Sequence, residues 1–260
     1  MAGRDFAFDF VKYQAAGNDF VLIDDRSAGF PVADEQFVAR LCDRRFGIGA
    51  DGLILIRTHA EADFEMVYFN ADGRVGSLCG NGSRAAAHFA SSLGRCGASG
   101  TLRASDGLHG FYFIKENELA VEMRAAAAVS VIDAANCFVD TGSPHHIVWV
   151  EGPLDALDLA ALAPPIRSAE RYAPGGTNVN FVQAMGPAEL AIRTWERGVE
   201  GETLSCGTGI TAAAVAWRAL YQPDAPAVAV RARGGQLAVR FGTGIELVGP
   251  VEAVFRGRWG

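Results

Sequence analysis

Lysine is almost missing from this 260-residue chain, which holds only Lys12 and Lys115. A pyridoxal phosphate enzyme needs a Schiff-base lysine, and neither of these stands in a motif-like setting, so that chemistry is not expected. Runs of Lys or Arg are also missing, and the net charge is −7, which argues against nucleic acid as a partner. No apolar stretch approaches the ~20 residues of a membrane span. The opening residues 1–9 (MAGRDFAFD) lack the apolar core of a signal peptide. There is no C-x-x-C and no tight Cys/His cluster, so neither a metal site nor thioredoxin-like chemistry is expected. Five cysteines, an odd number, fit reduced thiols in a cytoplasm.

What is present is one motif written twice. Leu78-Cys79-Gly80-Asn81-Gly82-Ser83 and Ser205-Cys206-Gly207-Thr208-Gly209-Ile210 each lead into an alanine-rich run. Each thiol thus stands before a Gly-x-Gly turn that opens a helix. A helix N-terminus carries about half a positive charge and several unpaired N–H donors, a setting that lowers a thiol pKa.

The two motifs belong to a longer repetition. Cys79 and Cys206 are 127 positions apart, and Asn70 and Glu196, each just upstream, are 126 apart. The stretch from Gly17-Asn18-Asp19 matches that from Gly142-Ser143-Pro144 at an offset of 125, and Ala50-Asp51-Gly52 lines up with Gly176-Thr177-Asn178 at 126. Four motifs recurring in order at nearly constant offset point to two similar halves with the active site in the cleft between them.

Most of the remaining signal is strand-like. Short apolar or alternating runs lie at 10–13, 20–23, 53–56, 64–69, 110–114 and 119–123, and again at 147–150, 179–182, 190–195, 227–231, 237–241 and 245–248. Helices are expected from Asp34 to Cys42, behind an N-cap aspartate, and after each cysteine motif. The runs Ala85-Ala86-Ala87 and Ala212-Ala213-Ala214 are apolar on most faces, as in a buried helix. Pro164-Pro165 and Pro174-Gly175-Gly176 read as loops. The expected class is α+β: two halves, residues 1–126 with Cys79 and 127–260 with Cys206, each a curved, barrel-like antiparallel sheet round a central helix. The final strand is free to return to the N-terminal half.

Inverting an amino-acid α-carbon requires a base on one face and an acid on the other. Two thiols at two helix N-termini meet that need, since the same N–H groups bind a carboxylate and stabilise the carbanion that forms beside it. A lone cysteine is most often a small buried hydrophobe, and Cys42, Cys96 and Cys137 are read so. Packing alone gives no reason to place a thiol before both helices. His145 and His146 are adjacent on a strand, so at most one faces the site; from the residues alone its role stays open. Glu196-Arg197 precedes Gly198 at the repeat position of Asn70, and Arg suits a bidentate grip on a carboxylate. Asn18, Asn70 and Asn178 sit by strand ends, where turn formation is the plainer reading for each alone; together they form a polar rim.

Five stretches together resemble the diaminopimelate epimerase family: KYQAAGNDFVLID from Lys12, FGIGADGL from Phe46, FNADGRVGSLCGNGSR from Phe69, GTNVNFV from Gly176 and ERGVEGETLSCGTG from Glu196. The resemblance implies interconversion of LL- and meso-2,6-diaminopimelate without cofactor or metal, for lysine and peptidoglycan synthesis. It implies that Cys79 and Cys206 are the catalytic thiols. Gly80, Asn81, Gly207 and Thr208 then match positions holding the reacting carboxylate. Asn18, Asn70, Asn178, Glu196 and Arg197 match substrate-binding positions, and His145 a site histidine. The partner is a small amino-acid substrate; a homodimer is left open by the sequence. The chain departs from some members at Gly52 (Gln there) and Ser143 (Asn there), and its loop Glu196–Thr203 is one residue longer than the commoner ERG-x-GET. The competing readings are another amino-acid racemase or isomerase of the same fold, a non-catalytic amino-acid-binding protein, and a thiol redox sensor.

Overall fold

A computed structural model describes residues 6–260; the first five residues of the stretch read for a signal peptide lie outside it. The chain divides into two compact units, one running to Val121 and including Pro250–Gly260, the other Glu122–Gly249. Residues 124–129 therefore belong to the second unit.

Among the described residues there are four α-helices: α1 (Glu35–Cys42), α2 (Gly80–Ser92), α3 (Leu159–Arg167) and α4 (Gly207–Tyr221). Each is the crossover between two parallel strands. In the first unit α1 joins Asn18–Asp24 to its parallel neighbour Gly52–Arg57, and α2 joins Phe64–Asn70 to Ser99–Ala104. In the second, α3 joins Pro144–Trp149 to Asn178–Gly186, and α4 joins Glu189–Glu196 to Ala227–Ala232. Antiparallel pairs fill the rest: Gly52–Arg57 with Phe64–Asn70, Ser99–Ala104 with Gly107–Lys115, and their counterparts Asn178–Gly186 with Glu189–Glu196 and Ala227–Ala232 with Gly235–Phe241. The α+β class holds, but the sheets are mixed and not wholly antiparallel. The physical reason is connection length: short hairpin connections give antiparallel neighbours, whereas a helical crossover returns the chain parallel. The strand Glu252–Trp259 pairs antiparallel with Phe8–Ala15, which places the C-terminal strand in the first unit's sheet.

The strand Gly52–Arg57 (GLILIR) shows why such runs are continuous and not alternating. Ile54 and Ile56 pack toward α2, among Ala85, Ala86, Phe64 and Leu102. Leu53 and Leu55 face the opposite side, with Val38 and Leu41 of α1. A strand covered on both faces needs apolar residues throughout. α2 is buried from Gly80 to Ala87, and α4 buries Ile210, Ala212, Ala213, Ala214 and Ala216. Alanines permit that enclosure because larger side chains would hold the strands away.

One helix escaped the sequence reading. Pro164 and Pro165, taken as loop markers, lie inside α3. Asp158 caps this helix by accepting from the Ala161 N–H, and the prolines fall in its last turns. The Pro164 carbonyl still accepts from the Ser168 hydroxyl at 2.8 Å. A nine-residue helix capped at one end and packed on Val179 and Phe181 tolerates the missing N–H donors. By contrast α1 begins as expected, with Asp34 accepting from the Phe37 N–H at 2.9 Å.

Enlarging a buried alanine tests the enclosure of α2. Ala86→Leu is expected to cost about 1–3 kcal/mol by overpacking, seen as a lower midpoint in chemical denaturation. An unchanged midpoint would contradict the close approach of sheet and helix.

Candidate functional site

Cys79 and Cys206 occupy the same structural position in their two units. Each is the N-cap of a buried helix, with backbone angles of −112° and 109° at Cys79 and −117° and 106° at Cys206. Cys79 Sγ accepts from the Gly82 N–H at 3.3 Å; Cys206 Sγ lies 3.5 Å from the Thr208 hydroxyl. The glycine at the third helical position sits in close packing, tighter at Gly209 than at Gly82. A Cβ on Gly209 would stand 2.5 Å from Asn180 Oδ1, and one on Gly82 would stand 3.1 Å from Ile54 Cδ1. The other three cysteines behave differently: burial pushes Cys42 up to about 12, and Cys96 and Cys137 up to about 11. They are inert thiols at neutral pH.

Around Cys79 a polar chain runs inward from the surface. Lys12 and Arg44 both pair with Asp19, at 2.7 and 2.6 Å, and Arg44 also pairs with Asp51 at 2.8 Å. Asp51 accepts from Asn18 Nδ2 at 3.0 Å, and Asn18 Oδ1 accepts from Asn81 Nδ2. Asn81 Oδ1 in turn accepts from Arg84 Nη2 at 2.7 Å. Asn18, Gly80 and Asn81 are thus assembled with Cys79. Asn70 is separate from this chain and exposed at its strand end; its Oδ1 would lie 3.1 Å from a Cβ on Gly76. Gly52 has a clear structural reason: a Cβ there would meet the Tyr68 ring and the Phe69 carbonyl, each at 2.5 Å. Tyr68 fills the space that a Gln side chain would need.

Around Cys206 the network centres on two asparagines. Asn178 Oδ1 accepts from the Arg197 backbone N–H at 2.8 Å, while its Nδ2 donates to Ser143 Oγ at 2.9 Å and to the Pro144 carbonyl at 3.0 Å. The Ser143 departure is therefore read directly by a site residue. Asn180 Nδ2 lies 3.2 Å from His145 Nδ1, and Asn180 Oδ1 accepts from the Thr194 hydroxyl at 3.0 Å. His145 is fully buried, its Nε2 has no hydrogen-bond partner, and burial, with Arg197 nearby, pushes it down to about 3. It is a neutral imidazole at physiological pH. His146 faces the other way and is satisfied at both nitrogens, by Tyr172 at 2.7 Å and Asn136 at 2.9 Å. Of the two adjacent histidines, His146 is structural. Thr208 is partly exposed, and its carbonyl accepts from Thr141 at 3.2 Å.

The longer loop is stapled into place. Glu200, at a positive φ of 55°, accepts from Arg167 Nη2 at 2.6 Å and from the Gly198 N–H at 3.1 Å. Glu196 accepts from the Thr203 hydroxyl at 2.9 Å, so the extra residue is absorbed in the turn. Behind the loop Arg193 grips Glu202 through two bonds of 2.7 Å. Arg84, Asn180, Arg193 and Tyr68 were not singled out from the sequence. For Asn180 and Arg193 the available signal was an amide or charged residue inside an otherwise apolar run.

A family model described as diaminopimelate epimerase matches residues 10–126 and 137–244. A diaminopimelate epimerase of Flavobacterium psychrophilum is 42% identical over 250 residues, covering 94% of this chain and 97% of its own. That of Chlorobaculum tepidum is 43% identical over 252 residues, covering 93% and 97%. Among solved structures, a PhzF-family phenazine biosynthesis protein of Bacillus anthracis superposes with a TM-score of 0.75 at 15% identity, over 98% of this chain and 99% of that one. A hydroxyproline epimerase of Agrobacterium vitis superposes at 0.71 and 14%, over 98% and 93%. These two structures share the fold. No helix among the described residues is long and apolar enough to cross a membrane.

The Asp19 network sets an acid limb. Burial raises the Asp19 carboxyl, but the bonds from Arg44 and Lys12 outweigh it and bring it from 3.8 down to about 2. The folded state therefore holds the carboxylate more tightly than the unfolded chain does. Its stabilising effect is full above about pH 4 and is lost as pH falls toward about 2. Circular dichroism against pH should show this limb in the native protein and a shallower one in Asp19→Asn; identical limbs would contradict it.

Proposed function

Because this chain belongs to the diaminopimelate epimerase family, we propose that it interconverts LL- and meso-2,6-diaminopimelate by proton transfer between two thiols, without a cofactor. The observation that supports this is the duplicated N-cap cysteine, with matching backbone angles at the mouth of two buried helices.

The chemistry proceeds from that geometry. One cysteine, as thiolate, removes the α-proton; the C–H electron pair passes into the adjoining carboxylate. The other cysteine, as thiol, delivers a proton to the opposite face of the carbon. Backbone N–H groups at Gly80, Asn81, Gly207 and Thr208 bind the carboxylate and stabilise its growing charge. After one turnover the protonation states of the two sulfurs are reversed, and exchange with water restores them. Because the sulfurs share one task, their apparent pKa values belong to the pair.

The distal end of the substrate carries an ammonium and a carboxylate. Arg197, Asn18 and Asn70 bind the distal carboxylate, Asn178 serves the site by holding the Arg197 backbone N–H, and Glu196 binds the distal amine. His145, neutral and with an open Nε2, offers a hydrogen bond without a charge. A substrate with two charged ends favours diaminopimelate over a monocarboxylate amino acid. The reaction belongs to lysine and peptidoglycan synthesis in the cytoplasm.

Removing either thiol tests the scheme. Cys79→Ala and Cys206→Ala should each lower kcat for LL-diaminopimelate by at least roughly 10²–10⁴, the range for loss of a general acid or base. Both variants should stay folded, with Cys79→Ala losing no more than the roughly 0.5–2 kcal/mol of its capping bond. Full epimerase activity in either one would sink the two-thiol mechanism.

A further inference from the structure

Asn180 and His145 form a pair whose protons can be placed from the heavy atoms around them. Both are fully buried, on the neighbouring parallel strands Asn178–Gly186 and Pro144–Trp149. Asn180 Nδ2 lies 3.1 Å from the His146 carbonyl, and Asn180 Oδ1 lies 3.0 Å from the Thr194 hydroxyl. A backbone carbonyl only accepts, so the amide atom that faces His146 has to be the nitrogen. The amide oxygen then faces Thr194, whose hydroxyl donates to it. These two contacts fix an orientation that side-chain amides otherwise leave open.

The second Nδ2 proton is left for His145 Nδ1, 3.2 Å away. That ring nitrogen accepts, so it carries no proton itself. His145 is neutral, since burial, with Arg197 nearby, holds it at about 3. A neutral imidazole has one N–H, and in His145 it falls on Nε2. This Nε2–H has no hydrogen-bond partner among the described residues. Buried donors without a partner are rare and costly, so this one points to an acceptor that arrives with a ligand.

The place of the ring tells which acceptor fits. Its Cε1, the atom between the two nitrogens, would stand 3.3 Å from a Cβ on Gly209. The ring therefore lies against the first turn of α4, and Nε2 is the atom bonded next to Cε1. Gly209 is the third residue of that helix, whose first N–H groups have no partner within the helix. The histidine adds a side-chain donor to these backbone donors, at a helix end that carries positive charge. Such a set suits an anionic acceptor, a carboxylate oxygen. The other tautomer would turn a lone pair toward that oxygen and repel it.

We propose that Asn180 is a positioning residue that fixes His145 as the Nε2–H tautomer, so that the ring donates to a substrate carboxylate at the mouth of α4. This rests on the reading of that mouth as part of the epimerase site. It adds Asn180 to the site, with Thr194 holding Asn180 in turn. It also limits the histidine: the ring's lone pair is engaged by Asn180, so His145 gives a hydrogen bond and does not remove a proton.

Nitrogen-15 NMR of the intact enzyme reads the tautomer without substrate, because protonated and bare ring nitrogens resonate far apart. The signals of His145 are those lost in His145→Phe. At neutral pH the native enzyme should show a protonated Nε2 and a bare Nδ1 at this residue. A nitrogen–nitrogen coupling across the hydrogen bond should link that Nδ1 to Asn180 Nδ2. Activity gives the second readout. Asn180→Leu should lower kcat/KM for LL-diaminopimelate about tenfold, the worth of one hydrogen bond to a charged acceptor. It should cost nothing further in an enzyme that already carries His145→Phe, because Asn180 acts through the ring. A native His145 protonated at Nδ1 would overturn the proposal, as would equal losses from Asn180→Leu with and without His145→Phe. If the variants do not fold, the native spectrum decides, with histidine signals assigned through their couplings. Epimerase activity with an Nδ1–H ring would defeat this inference alone; an Nε2–H ring in an enzyme without epimerase activity would defeat the functional reading instead.

Discussion

A thiol at the N-cap of a helix gains from the helix only if water is kept from the first turn, and that requires the turn to be buried. α2 is enclosed from its first residue, Gly80, and α4 from Gly207. The enclosure dictates small residues: Gly82 and Gly209 where side chains or asparagine oxygens approach, and alanines at 85–87 and 212–214 where the core closes in. The crossover topology follows from the same need. Strands on either side of a central helix have to run parallel where that helix connects them, and the hairpins complete the layer. The polar networks also follow, because every amide that faces a buried helix mouth must find partners.

Those partners are not symmetric. The first unit anchors its helix mouth through Asn18 and Asn81 to the Lys12–Asp19–Arg44–Asp51 cluster at the surface. The second uses neutral groups, Asn178, Asn180 and Thr194, and keeps its charges in the stapled loop at Arg193–Glu202 and Arg167–Glu200. The backbone repeats; the electrostatics do not.

Much of this was legible in the sequence. The duplicated Cys-Gly-x-Gly, the alanine runs and the Asp34 cap led to the right helices, and the apolar runs led to the central strands. The misses have physical causes. Ser99–Ala104 and Glu252–Trp259 lack the β-branched, alternating pattern that marks a strand, and form because neighbouring strands offer open edges. α3 was hidden by Pro164 and Pro165, since a local breaker signal outweighed a cap at Asp158 that tertiary packing makes effective. The antiparallel expectation failed because strand runs do not report their direction; only the crossovers do. Arg84 sat in plain view in the motif, but its weight depends on burial, which no spacing reveals.

The most direct test of two thiols sharing one α-carbon is the early fate of deuterium. LL-diaminopimelate is epimerised in deuterated water, and substrate and product are separated at low conversion for mass analysis. The donor thiol carries one solvent-derived deuterium and the thiolate none, so the meso product should contain one deuterium from the first turnovers while the remaining LL substrate stays unlabelled. Deuterium appearing equally in both, or product retaining the substrate's own hydrogen, would mean that a single base serves both faces.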